Sequence, residues 1–220
     1  MIFNENNVFV QNLTHKNKLI ILDGRVFLKF YSQFKTEIRI IGLDDMSFQP
    51  KSQGRLGVIG VVFRGGYWLE TVIRTEITID GLDATENICS MISKLPNFRQ
   101  LRLVMLNGIM FGGFNVVNIK QLHIISKLPV LSIIRKKPVF SSIRTGMKKL
   151  PSFEERWNAL LAAGKIFETI SRDNRSKIFF QKIGISDYDA KKIIRLTSTR
   201  SNMPEPVRIA HIIASGVGSI

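Results

Sequence analysis

An α/β fold on a mixed five-stranded sheet flanked by helices is predicted for this chain by three observations. Three strand-like runs follow one another before any helix, two later strands alternate with helices, and 45% hydrophobic content over 220 residues supplies one sizeable core. The first regular run is Ile38–Leu43, a buried strand that ends in Asp44-Asp45. Leu56–Arg64 is a second strand. Gly65-Gly66 then suits a tight hairpin into Tyr67–Ile79, where Thr71, Ile73, Thr75, Ile77 and Ile79 alternate. After Asp80-Gly81 the period changes to that of a helix, with Asp83 at a plausible N-cap and Ile88, Met91, Ile92 and Leu95 on one face until Pro96. Leu101–Leu106 is a fourth strand and Asn107–Gly113 a Gly-rich turn. A helix over Val116–Ser126 and a fifth strand, Val130–Ile134, follow. Further helices are predicted at Phe140–Lys149, Ser152–Thr169 and Asp187–Leu196, with a short strand at Ile178–Phe180.

Residues 1–36 read differently, as an extension of unknown status before a domain over 37–220. They are rich in Asn and Lys and carry one alternating stretch, Lys18–Phe30, around the hairpin-like pair Asp23-Gly24. Composition narrows the partners. Lys and Arg number 32 against 17 Asp and Glu, a formal charge of +15 that favours polyanions, of which phosphate backbones are the commonest. The excess gathers between Arg135 and Arg200, with 16 basic against 6 acidic residues. No apolar run approaches the roughly 20 residues that span a bilayer, and no secretory leader is visible. With a single cysteine, Cys89, no internal disulfide can form, and a cytoplasmic location without membrane association is expected.

Three strands leading into β-α-β-α units imply an antiparallel meander joined to parallel crossovers, the succession of the ribonuclease H-like fold. Ligands of such sheets gather at the carboxyl ends of the central strands. Asp44 and Asp45 follow the first strand, Asp80 and Asp83 lie where the third passes into a helix, and Asn107 ends the fourth. Carboxylates brought together there need a cation to offset their repulsion. Mg²⁺ prefers hard oxygen ligands and can activate water for in-line displacement at phosphorus. Local roles compete: Asp83 as a helix cap, and Asp45 and Asp80 as turn residues. Asp44, ending an apolar strand, is harder to assign to solvent.

These residues resemble a known family. Gly42-Leu43-Asp44-Asp45, Val61–Gly66, Asp80–Glu86, Leu106–Ile109, Phe111–Val117 and Pro204–His211 occur in unbroken order and are similar to the archaeal endonuclease dU family, itself distantly similar to endonuclease V. The resemblance implies Mg²⁺-dependent (or Mn²⁺-dependent) cleavage of single- or double-stranded DNA at deaminated bases, deoxyuridine in particular, as a step of DNA repair. It implies no organic cofactor and leaves the oligomeric state open. It further implies metal ligands at Asp44, at Asp80 or Asp83 with Glu86 in competition, and at Asn107, with Lys136 assisting at phosphate. Arg64, Gly108, Phe111, Arg135, Lys136 and Lys137 are the expected nucleic-acid contacts, although aromatic residues spaced like Phe111 and Phe114 are more often core. The family pattern carries aspartate where this chain has Asn107 and Asn118. An amide keeps an oxygen ligand but removes a charge, which weakens Mg²⁺ binding. His211 is expected as a packed or hydrogen-bonded helix residue.

Two other classes compete with an active endonuclease. One is a nucleic-acid-binding descendant whose catalysis is impaired through Asn107. The other is a phosphate enzyme using Gly108–Gly113 as a cradle, which ranks below because the loop lacks the Lys-Ser/Thr ending of a P-loop.

Overall fold

The computed structural model describes residues 35–173 and 176–218, together with the backbone of three N-terminal strands. The chain divides into two compact units, Met1–Lys35 and Thr36–Ile220. In the first, β1 (Phe9–Thr14), β2 (Asn17–Leu22) and β3 (Arg25–Phe30) form an antiparallel meander. Leu22 pairs with Arg25, and Asp23-Gly24, the predicted turn, lies outside the described residues.

The second unit opens with β4 (Arg39–Asp45), β5 (Arg55–Arg64) and β6 (Trp68–Thr78), followed by α1 (Ala84–Ser93). A 3-10 turn at Phe98–Gln100 leads to β7 (Leu103–Asn107) and a small hairpin, β8 (Met110–Phe111) with β9 (Asn115–Val116). Then come α2 (Ile119–Ser126), β10 (Val130–Ile134), α3 (Phe140–Met147) and α4 (Phe153–Ala162). The chain closes with β11 (Phe167–Ile170), β12 (Lys177–Ile183), α5 (Asp187–Thr197) and α6 (Glu205–Val217). The large sheet runs β11-β12-β10-β7-β4-β5-β6. β4, β7 and β10 are mutually parallel, and β5, β6, β12 and β11 each pair antiparallel to their neighbours. This mixed sheet with flanking helices is the ribonuclease H-like arrangement.

The sheet has seven strands rather than the predicted five. The predicted helix Ser152–Thr169 stops at Ala162, two residues before Gly164, whose φ of +71° lies in the left-handed region where glycine ends helices. Beyond it the chain becomes the edge strand β11, and Phe167 stacks on Phe180 of β12 with ring centroids 5.5 Å apart. Pairing with β12 outweighs the helical spacing of that stretch. Ile178–Phe180 proves to be the middle of a seven-residue strand. Trp68, at the start of edge strand β6, is 60% exposed, whereas Trp157 packs partly against the core. No helix among the described residues is long and apolar enough to cross a membrane.

β4 lies between β5 and β7 in the interior of the sheet, and its Ile40, Ile41 and Leu43 are fully buried. Alternation gives its two faces different partners. Ile41 and Leu43 join Ile88 and Ile92 of α1 and Ile119 and Leu122 of α2 in one cluster. Gly42 and Asp44 face α6. The helix approaches so closely that a Cβ on Gly42 would stand 2.2 Å from the Pro206 carbonyl carbon and oxygen. A side chain there is incompatible with this packing.

Candidate active site

Asp44 is 4% exposed, at the carboxyl end of β4. The Asn107 Nδ2 amide, from the end of the neighbouring parallel strand β7, donates to Asp44 Oδ2 at 2.9 Å. His211 Nδ1, from the middle of α6, stands 2.7 Å from the same oxygen. Burial raises the Asp44 pKa above the ordinary carboxylate value, while the bonds from Asn107 and His211 and the His211 charge oppose that rise. A carboxylate taken out of water is costly unless bonded, and these contacts reduce that cost.

α6 explains the Pro204–His211 block. Pro204 and Pro206 begin the helix, Glu205 is buried and binds Arg208 through two N–H···O bonds of 2.9 and 2.6 Å, and Pro206 seats on Gly42. Those contacts set the helix so that His211, two turns along, meets Asp44. The His211 side chain remains 46% exposed.

Asp45 points to the other face and accepts the Gly112 amide at 2.7 Å, which ties the Gly-rich loop to the end of β4. Burial pushes its pKa up to about 6, with the neighbouring Asp44 charge adding to the rise and the Gly112 bond working against it.

Asp80 and Asp83 use their carboxylates on other partners. Asp80, with φ of +50°, accepts the Phe114 amide at 2.8 Å. Asp83 occupies the N-cap position of α1 without capping it. It accepts from Thr78 N at 3.0 Å, Thr78 Oγ1 at 2.9 Å, Asn115 Nδ2 at 2.7 Å and Arg55 at 3.0 Å. Burial works to raise its pKa, but these bonds and the Arg55 charge outweigh it and hold the carboxyl below the usual value. Asn115 Oδ1 instead receives the Ala84 amide at the helix start. Buried Arg156 locks the same corner, donating to the carbonyls of Asp80, Gly81, Phe114 and Pro151. Glu86 is exposed and lines a separate cleft of about 550 Å³ between α1, α2 and α4. Asn118 caps α2 by accepting from Gln121 N at 3.0 Å.

The expected nucleic-acid contacts separate into groups. Gly108 follows Asn107 in a turn with φ of +81° and open space around it, and its amide donates to the Ile133 carbonyl at the end of β10. Arg135, Lys136 and Lys137 leave that strand exposed, at the same end of the sheet as Asp44 and Asn107. Phe111 is fully buried, so it is a core residue with no face to offer a base. Arg64 pairs with Arg39 at the opposite end of β4, beside Glu70 at 3.1 Å, five ladder positions from Asp44. The structure thus brings Asp44 and Asn107 together, with Arg135–Lys137 at the same sheet end, and adds His211, which the sequence led us to expect only as a packed or hydrogen-bonded helix residue.

With this geometry in view, known proteins offer comparisons. Residues 36–218 match the Endonuclease dU family. A UPF0215 protein of Methanosarcina barkeri is 49% identical over 183 residues, covering 83% of this chain and 92% of the relative. A crystal structure of an Archaeoglobus fulgidus protein of unknown function superposes with a TM-score of 0.73 at 34% identity, over 82% of this chain and 98% of that one. Endonuclease V of Bacillus subtilis shares the fold at a TM-score of 0.53 and 13% identity, over 81% of this chain and 79% of its own. The chain belongs to the Endonuclease dU family.

Proposed function

We propose that this protein is a Mg²⁺-dependent endonuclease that cuts DNA beside a deaminated base, deoxyuridine in particular, in DNA repair. The observation that carries the reading is the convergence of Asp44, Asn107 and His211 on one oxygen at the carboxyl end of the central parallel strands. Family membership, the +15 charge and the exposed cations of Arg135–Lys137 support it.

Among the described residues, no three His, Cys, Asp or Glu side chains are grouped as a metal cage. Mg²⁺ does not need one, because it commonly takes one or two carboxylates and completes its shell with waters and substrate phosphate. The donor set fits that mode, with Asp44 supplying a carboxylate and Asn107 an amide oxygen. When bound, Mg²⁺ (or Mn²⁺) supplies an activated water and charge neutralisation at the leaving oxygen. The protein's own part is positional and protonic. Asn107 fixes the Asp44 rotamer. Asp44 accepts from His211 Nδ1 and so leaves Nε2 available to hold or release a proton at the mouth of the site. Lys136, with Arg135 and Lys137, holds phosphate.

One observation favours a second reading. The Asn107 amide answers part of the Asp44 charge without any cation, as in a nucleic-acid-binding descendant that no longer cleaves. A nicking assay on deoxyuridine-containing DNA, with and without Mg²⁺, decides between them. The first reading expects wild-type nicking that Asp44→Ala abolishes while DNA binding persists. An inert wild type that gains nicking through Asn107→Asp establishes the second, and binding and cleavage lost together in Asp44→Ala contradict the assignment of Asp44.

A further inference from the structure

Resting on the nuclease reading, we infer that Val139 and Phe140 form an apolar wedge that enters a DNA duplex beside the damaged base, so that the enzyme reads duplex weakness. The two residues begin at the tip of α3. Val139 is 62% exposed and Phe140 38% exposed, although both are apolar. The helix is held along its second half: Met147 is fully buried, Ile143 packs partly against the core, Arg144 lies over the Trp157 ring, and Gly146 abuts the Phe114 ring. A Cβ on Gly146 would stand 2.5 Å from Phe114 Cζ. Residues 139–142, by contrast, are all exposed. The helix therefore projects its apolar start outward while its other end is seated on the residue that follows the Gly-rich loop.

Its position is what assigns the partner. Immediately before Pro138 come Arg135, Lys136 and Lys137, exposed and in no ion pair among the described residues. They leave β10 beside Asn107, since Ile133 pairs with Asn107 across the two parallel strands. A cationic run followed at once by exposed apolar side chains matches the needs of a bent duplex, in which phosphates are held while an apolar group replaces lost stacking between bases. Taking a base out of the helix leaves such a gap, and filling it offsets the unstacking. Among the other exposed aromatic residues, Tyr67 and Trp68 lie by Arg64 at the opposite end of the sheet, away from Asp44, and neither Phe48 nor Tyr188 directly follows a run of exposed cations.

The test compares the wild type with V139S/F140S, with Phe140→Trp and with R135A/K137A. Each is given a deoxyuridine duplex carrying 2-aminopurine next to the lesion, and the matching single strand. For V139S/F140S we expect an unchanged Tm, because both residues are exposed, and loss of the 2-aminopurine signal on the duplex. Duplex nicking should fall about tenfold or more, the scale of one lost stacking contact, with single-strand nicking kept. Phe140→Trp should retain duplex activity. R135A/K137A should weaken both substrates alike. If V139S/F140S matches the wild type, or loses duplex and single strand equally, the wedge is overturned while the nuclease reading stands. A wild type that neither binds nor nicks either substrate overturns both.

Discussion

His211 Nδ1 lies 2.7 Å from Asp44 Oδ2, a contact that joins positions 167 residues apart. The bond couples α6, which begins with Pro-Glu-Pro, to the end of the interior strand β4, and it leaves half of the imidazole open. His211→Ala is expected to lower cleavage by about 10²–10⁴-fold, the usual worth of a positioned proton-transfer group. DNA binding measured by anisotropy should not change. Because the ring is 46% exposed, the stability loss should stay below ~1 kcal/mol. Equal losses of binding and cleavage would show that His211 merely props α6.

Asn107→Asp places a second carboxylate within hydrogen-bonding distance of Asp44. Two like charges that close raise each other's pKa, and the apo protein should lose stability at neutral pH. Each kcal/mol lost lowers Tm by about 2–4 °C in a chain of this size. Added Mg²⁺ should restore Tm in the variant more steeply than in the wild type, because ligand charge governs affinity. Thermal melts with and without the ion read both effects, and a variant insensitive to Mg²⁺ contradicts a metal position at residue 107.

Gly42→Ala tests the seat of α6. The new Cβ meets the Pro206 backbone at 2.2 Å, where neither side has a flexible end to move. Overpacking at such a contact should cost ~2 kcal/mol or more in urea unfolding. Cleavage should fall with it, since His211 rides on the displaced helix. Full activity in Gly42→Ala would show that α6 tolerates displacement.

Asp45 makes stability depend on pH. Its folded pKa, about 6, lies well above the ordinary carboxylate range, so the proton is held more tightly in the folded chain. Above pH 6 both states are ionised and the folded state bears the full cost, at most ~3 kcal/mol for a shift of this size. Below about pH 4 both states are protonated and the cost disappears. Asp45→Asn, which keeps an oxygen for the Gly112 amide, should therefore raise Tm at pH 7.5, with the gain fading between pH 6 and pH 4. A gain that is constant over this range would place the perturbation elsewhere.

The order of the main elements from β4 to α3 was legible because periodicity is local. The leading strands, the change of period after Asp80-Gly81 and the helix at Asp187 announce themselves within a dozen residues. Asp44 and Asn107 could be brought to one end of the sheet by topology alone, as residues closing adjacent parallel strands. Asp80 and Asp83 shared that approximate address, but an address does not say where a carboxylate points. Thr78, Arg55 and Asn115 engage Asp83, and the Phe114 amide engages Asp80, because half-buried acceptors take the nearest donors.

By itself, then, the sequence determined the fold class, the succession of the main strands and helices from β4 to α3, the cationic balance and the strand ends where acidic residues collect. Only the tertiary structure decided that His211 answers Asp44, that Phe111 is core and that β11 completes the sheet. Local pattern specifies which face of an element is apolar. Which side chains meet across that face depends on close packing between distant segments, here the missing side chain of Gly42 that lets α6 come down onto β4.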